Sequence, residues 1–341
     1  MKKLAVIICI LSAANIVFAE TKFRFSGIAE TGVDVISRVN RDYRDDATEI
    51  RSVARGEIGI SARPVRNVRA EIGIEYDQRD TFLTIDKFYG QYSISKNSLI
   101  RAGIMKKVFG LEERAGLDER YFRSRSIIRE GLRDESFLGH DLTLQYRHSA
   151  GSDWRFIGGV SMSASVNSIT NATDTMRYFQ NYSAHYRKDN IEVVGVAVIQ
   201  HFHVVPDNWA TTAFVSSLSG RHSTPLWVSE AELTFGNSIA AKVPDNENMF
   251  ILGARKQEQF YINTGLKTLR QIIPVVEAAL YWENLDKSDE FETQIRGGLT
   301  LGFAKNNAFQ FRNTYGAILS TRDGETKARR YRFDSVVVVV F

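Results

Sequence analysis

Apolar and polar residues alternate strictly through most of this sequence, and a period of two leaves few folds open. In VRAEIGIEY, Val68, Ala70, Ile72, Ile74 and Tyr76 share one face of an extended chain, and Arg69, Glu71, Gly73 and Glu75 share the other. FETQIRGGLTLGF repeats the pattern, with Phe291, Ile295, Leu299, Leu301 and Phe303 opposite Glu292, Gln294, Arg296 and Thr300. WRFIGGVSM, DLTLQYRH, FQFRNTY and FRFSGIAE behave alike. Successive side chains of a strand point to opposite sides, so these are strands with one apolar and one polar face. A soluble sandwich has the same alternation, but three features favour a membrane barrel. Aromatic residues sit near strand ends on the apolar faces (Phe23, Tyr76, Trp154, Phe291, Phe303, Phe309), as an interfacial girdle requires. Fully charged residues occupy mid-strand positions on the polar faces, which suits a water-filled interior. No segment reads as a strong helix, and no apolar run is long enough for a spanning helix.

Sixteen candidate strands begin near residues 23, 49, 67, 82, 98, 140, 153, 176, 191, 208, 226, 248, 271, 290, 308 and 329. The twelfth is poorly bounded, because KQEQFYINTGLKTLRQ either extends it or forms a long turn. An even count is the rule for bacterial outer-membrane barrels, and sixteen strands enclose an aqueous channel. The odd connections are generally long (VNRDYRDDAT, 107–138, VNSITNATDT, GNSIAAKVPDNEN), and the even ones are tight (RPVRN, SKNS, SAGS, KDN, AKNN). HVVPD and SLSGRHST blur that contrast. The expectation is an all-β, closed antiparallel transmembrane β-barrel whose long third extracellular loop folds into the pore.

The ends of the sequence agree with an outer-membrane destination. MKK, an apolar stretch broken by Ser12 and Asn15, and the small-residue site Val17-Phe18-Ala19 have the layout of a secretory signal peptide over 1–19, leaving 20–341 as the barrel domain. The single cysteine, Cys9, falls in that leader, so disulfide, thiol and cysteine-metal chemistry are excluded from the rest. A formal net charge of +4 does not suggest a nucleic-acid partner. The final stretch, RYRFDSVVVVVF, places Tyr331, Phe333, Val337, Val339 and Phe341 on one side, and Arg330, Arg332 and Asp334 on the other. Exposed in water, such a strand invites aggregation. Paired with the first strand it closes a barrel, and its terminal aromatic resembles the signal read by the outer-membrane assembly machinery.

Between Glu112 and Glu135 this third extracellular loop holds six arginines (114, 120, 123, 125, 129, 133) and seven carboxylates. Loops this long are usually functional. Tyr121-Phe122 and Ser126-Ile127-Ile128, interspersed among the charges, offer apolar contacts for docking against an inner wall, and the mixed charge sets a transverse field across the constriction. Alternation assigns a lumen face containing Arg24, Arg51, Arg55, Arg69, Lys87, Arg101, Arg147, Arg155, Arg177, Arg187, Arg296, Arg312 and Arg332. Glu30, Asp34, Glu57, Glu71, Glu75, Asp141, Glu230, Glu232 and Glu292 share it. Guanidinium groups lower the barrier for anions by replacing hydration with charge-assisted hydrogen bonds. If each is instead neutralised by a carboxylate across the strands, the wall is only stiffened.

The run FYGQYSISKNSLIRAGIMKKVFGLEE, followed by DERYF and FLGHDLTLQY, resembles the phosphate-selective porin O and P family. The matching positions are Gly103, Lys106, Phe109, Gly110, Leu111 and Glu112, then Glu119 and Arg120, about a quarter of the chain in all; Val108 stands where the family commonly has proline. The resemblance implies a sixteen-stranded, trimeric porin. The inserted loop is expected to bring Lys106, Glu112, Glu113, Arg114, Glu119, Arg120, Arg123, Arg125 and Arg129 to the constriction, and no cofactor is expected. Passive diffusion of small hydrophilic solutes with a preference for phosphate-like anions is the expected function. A general or weakly selective porin and an outer-membrane barrel hydrolase are the alternatives. His201 and His203 flank Phe202 without a third ligand, and His185 and His222 have serines nearby without a catalytic arrangement.

Overall fold

The computed structural model describes residues 21–40, 47–78, 83–107, 109–114, 121–134, 137–162, 175–204, 209–237, 250–303 and 308–341. The expected leader therefore lies outside the described residues. Sixteen antiparallel staves form one sheet closed on itself. The first eight are β1 (Lys22–Asn40), β2 (Ala47–Val65), β3 (Val68–Asp77), β4 (Leu83–Ser93), β5 (Ser98–Lys106), β6 (His140–Ala150), β7 (Trp154–Met162) and β8 (Thr175–Lys188). The remainder are β9 (Ile191–Val204), β10 (Trp209–Ser223), β11 (Trp227–Asn237), β12 (Phe250–Phe260), β13 (Gln271–Trp282), β14 (Phe291–Gly302), β15 (Phe309–Arg322) and β16 (Glu325–Val340). Two short helices interrupt the connection between β5 and β6: α1 (Gly110–Arg114) and α2 (Ile127–Asp134).

Each strand pairs with its neighbours in sequence, and β1 pairs with β16 from Ile28↔Val340 to Asn40↔Ala328. Phe341 extends that seam by exchanging backbone hydrogen bonds with Gly27 at 2.8 and 2.9 Å. Neither edge of the sheet is left open, which disposes of the aggregation hazard posed by the valine run. Strand starts agree with the alternation to within two residues except at β16, which begins at Glu325 rather than near 329. Asp323 and Gly324, at φ of 52° and 71°, make a two-residue turn there, and Asp-Gly is a strong hairpin signal for that geometry. The twelfth strand does both things left open: it continues past Tyr261 as Ile262–Asn263, paired with Ile272 and Gln271, before the chain turns. SLSGRHST proves to be mostly strand, so the even connection from β10 to β11 is short as expected, whereas the odd one from β15 to β16 is only two residues.

Outward faces carry the apolar side chains; Phe25, Ile50, Ile58, Leu218 and Ile295 are among the exposed ones. The inward face departs from expectation. It is not polar throughout: Phe179, Val194, Val196, Val198, Ala213 and Val215 form an apolar inner wall on β8 to β10, joined by Ile251, Ala279 and Tyr281. A second small cluster, Ile28, Val53, Val336 and Val338, lines the inside of the β16–β1–β2 seam. The valine run is thus apolar on both faces because its even members also pack.

Candidate pore constriction

The apolar inner wall exists because the long connection lies on it. Phe109, Leu111, Ile127, Ile128, Leu132, Phe137 and Leu138 are all buried against it, so the connection folds into the barrel and not over its mouth. Apolar area removed from water stabilises by about 25 cal/mol per Å², and a fully buried large side chain contributes roughly 1.5–3 kcal/mol. Seven such side chains offset much of the entropy of ordering two short helices.

Polar contacts fix where the loop lies. Lys107, at its start, pairs with Asp141 at 2.9 Å and sits 3.3 Å above the Phe179 ring. Burial lowers its pKa to about 8, although Asp141 opposes the shift. The start of α1 abuts Glu232, whose carboxylate accepts from the Leu111 backbone N–H at 3.2 Å. Gly110 is at φ +59°, a conformation that favours glycine, and a Cβ there would press on that carboxylate and make it shift. Ser126 caps α2 by accepting from the Arg129 N–H at 3.4 Å, and its own N–H donates to Glu112 at 2.7 Å. Ile127 N–H donates to Gln294 on β14 at 3.2 Å.

Glu112 is the electrostatic centre. Burial pushes its carboxyl up, but Arg255, Arg296 and Arg125, with the Ser126 hydrogen bond, hold it down at about 2. Arg255 lies 4.0 Å from Glu112 and 3.0 Å from both Glu230 and Glu277. Arg296 lies 3.7 Å from Glu112 and 2.6 Å from Glu277, donates to the Ser124 carbonyl at 2.7 Å, and stacks 4.3 Å over Phe122. Two strands further round the wall, Asp34 and Asp334 face each other in register at the closing seam. Like charges directly opposite are destabilising. Arg123 relieves them from the loop at 3.0 and 3.6 Å, and Arg332 from the wall at 2.8 and 3.2 Å. Tyr121 shares a hydrogen bond with Tyr261 at 3.2 Å, and burial, reinforced by that neighbour, raises its pKa.

The remaining expected residues fall as follows. Arg51 pairs with Glu49; Arg55 donates to Glu75 at 2.7 Å and lies 3.8 Å from Asp77. Arg69 pairs with Glu71 at 2.7 Å, and Lys87 lies 3.3–3.8 Å from Glu57, Glu71 and Asp86. Arg101 donates to Gln91 at 2.9 Å and sits over Tyr89. Arg312 donates to Gln310 at 2.9 Å and lies 5.9 Å from the Tyr121 ring centre. Lys106 is 4.0 Å from Asp86, and Arg125 donates to the Glu112 carbonyl. Gly103, at φ 140°, lies against the Phe88 carbonyl. Side chains of Glu113 and Arg114, and all of Glu119 and Arg120, lie outside the described residues. His201 faces outward, stacked 4.6 Å from Tyr178, and no metal-binding group of three or more ligands occurs among the described residues.

Three cavities follow one another along the inner wall. One of about 700 Å³ is lined by Lys287, Arg322, Arg330, Glu130 and Glu290, near the β13–β14 connection. It shares Glu130 and Arg330 with a narrow one of about 50 Å³ bounded by Arg38, Arg296, Arg332 and Asp334. That in turn shares Phe122, Ser124 and Arg296 with a third of about 350 Å³, which Arg155, Arg187, Arg221 and Arg255 also line. Of the residues that meet here, sequence alternation placed Glu230 and Gln294 on the polar face, and it did not single out Arg255 or Glu277.

No family model matches the chain, and no curated protein is similar in sequence. Solved structures do match. The outer-membrane channel DcaP of Acinetobacter baumannii has TM-score 0.69 at 13% identity, over 95% of this chain and 98% of that one. Salmonella typhi OmpF, in a complex with daunomycin, has TM-score 0.65 at 10% identity over 94% and 98%. An anion-selective porin from Comamonas acidovorans has TM-score 0.64 at 9% identity over 94% and 100%. The chain has the closed sixteen-stranded barrel fold of outer-membrane porins.

Proposed function

We propose that this protein is an outer-membrane porin that passes small hydrophilic solutes by diffusion and prefers anions, phosphate-sized ones included. The observation that carries the preference is the narrow cavity: Arg38, Arg296, Arg330 and Arg332 border it against two carboxylates, Glu130 and Asp334. Four guanidinium groups lining one cavity, walled by low-dielectric protein, attract anions and supply hydrogen bonds in place of lost water, while Arg296 and Arg332 also pair with Glu277 and Asp34 beside it. Resemblance to the phosphate-selective family around Gly103–Glu112 supports the same direction. That resemblance also supports a homotrimer, and Tyr331, Phe333 and Phe341 on the outer face of β16 support recognition by the assembly machinery. The reaction is passive and calls for no cofactor.

A weakly selective porin is the second reading, favoured by the wall from β2 to β4, where Arg55, Arg69 and Lys87 are each matched by carboxylates. Reversal potential in a KCl gradient across a planar bilayer separates the two. Anion preference shifts it toward the chloride equilibrium potential; a value at zero selects the second reading, and a shift toward potassium overturns the first.

A further inference from the structure

The turns at the end of the barrel away from the β5–β6 connection carry mostly one sign of charge. Arg63 and Arg66 bracket the β2–β3 turn, Lys96 lies in the β4–β5 turn, and Lys188 opens the β8–β9 turn. Lys267 and Arg270 belong to the connection from β12 to β13. All six are exposed, and none has an ion pair or a side-chain hydrogen bond among the described residues. The described residues of the turns at this end include two acids, Asp153 and Asp189, and Asp153 faces the lumen cavity. The opposite rim differs: there Arg322 pairs with Glu290 and Lys327 with Glu325, both at 3.1 Å. Unneutralised cations gathered on one rim attract an anionic partner.

Apolar side chains stand beside these cations. Val65, Ile94, Leu226 and Leu266 occupy turn positions, each more than half exposed. Next to them the lipid-facing aromatics Tyr92, Trp154 and Phe260 mark the boundary between hydrocarbon and headgroups. Lys96 is four residues beyond Tyr92, and Lys188 is two beyond Tyr186, whose ring lies 4.9 Å from that of Trp154. By alternation Lys188 shares the outward side of Tyr186, and Arg270 shares that of Ile272, which is opposite exposed Ile262. At about 3.3 Å per residue, these cations lie within reach of the headgroup layer. An apolar side chain that dips into the interface beside a cation that snorkels to a phosphate suits a lipid surface better than water. The six are also spread from the β2–β3 turn to the β12–β13 connection, so a leaflet reaches them all where a compact acidic protein cannot.

We infer that this rim binds the headgroups of anionic phospholipids in the periplasmic leaflet and gathers those lipids around the barrel. The inference rests on the membrane-spanning reading above, with the tight turns toward the periplasm, and is independent of which ions the pore prefers.

Quenching by brominated lipid tests it, with the four tryptophans of the chain as reporters. Trp154 and Trp227 lie at this rim, and Trp209 and Trp282 at the other. The full chain is folded into phosphatidylcholine vesicles containing about one tenth acyl-brominated phosphatidylglycerol. Quenching is expected to be about twofold stronger than with the same fraction of brominated phosphatidylcholine, because basic side chains near a surface enrich anionic lipid. The excess is expected to persist in the Trp209→Phe, Trp282→Phe variant and to vanish in Trp154→Phe, Trp227→Phe. It is also expected to vanish in about 0.5 M NaCl, where charges are screened beyond about 4 Å, and in a chain carrying Lys96→Gln, Lys188→Gln, Lys267→Gln and Arg270→Gln. Lys287→Gln with Arg322→Gln, on the opposite rim, is expected to leave it unchanged. Equal quenching by the two lipids overturns the inference, as does an excess that survives the four substitutions or follows Trp209 and Trp282. Binding to purified peptidoglycan sacculi without a lipid excess also overturns it and assigns the rim to the sacculus. Heat-modifiable gel mobility shows that each variant folds, and the salt arm needs no variant. A chain that floats with the vesicles yet shows no excess loses this inference alone; one that does not float loses the membrane-spanning reading with it.

Discussion

Glu112 and Lys107 are both buried in the inserted connection, yet their surroundings push them in opposite senses. Glu112 is held at about 2, below an unfolded carboxyl near 4.3, because the arginine field exceeds the penalty of burial. Its stabilising contribution is complete above the unfolded value and is lost as pH falls through about 2. Glu112→Gln removes one carboxylate facing Arg255 and Arg296, which keep Glu230 and Glu277, and weakens the contacts to Ser126; it is expected to loosen loop docking by about 1–2 kcal/mol, read as faster protease cleavage within 110–134. Lys107 is depressed to about 8 from near 10.4, so its charge costs stability at neutral pH and that cost is relieved between pH 8 and 10.4. The barrel's thermal transition is expected to rise over that window in the wild type and to lose the rise in Lys107→Met; a parallel rise in both refutes the assignment. Glu112 was legible beforehand only through the family-like Phe-Gly-Leu-Glu run. Its partners were not, because Arg255 and Arg296 sit some 140 and 180 residues further along and meet it only when the barrel closes.

At the scale of elements, the connection holds the barrel as much as the barrel holds it. Arg123 bridges to two facing aspartates at the seam, so Arg123→Gln is expected to destabilise closure by about 3 kcal/mol, lowering the temperature of the heat-modifiable transition. Adding Asp34→Asn removes the repulsion and is expected to recover most of the loss; failure to recover argues against the clasp. Gly110→Ala is expected to dislodge α1 from Glu232 without opening the barrel, visible as loop cleavage with unchanged gel mobility. Strands were readable from alternation because each buries one face. IEVVGVAVIQ carried the missing clue: apolar on both faces, it could not line a wet lumen, and the inserted loop is what covers its inner side. TRDGET was a second readable signal, its Asp-Gly turn fixing a longer last hairpin than the apolar pattern alone suggests.

For the molecule as a whole, composition misleads and periodicity does not. A mean hydropathy of −0.22 describes an average over a greasy outer face and a charged inner one. The closed sheet followed from that alternation, whereas the course of the passage through it depends on side chains that converge from many strands, as Arg38, Arg296, Arg330 and Arg332 do. Single-channel recording in planar bilayers tests the central claim, a hollow barrel narrowed by its own β5–β6 connection. The account predicts discrete conductance steps for the wild type, and larger steps for the Arg123→Gln, Glu112→Gln double variant once protease cleavage shows its loop released. Silent bilayers, or steps of the same size with the loop released, would contradict it.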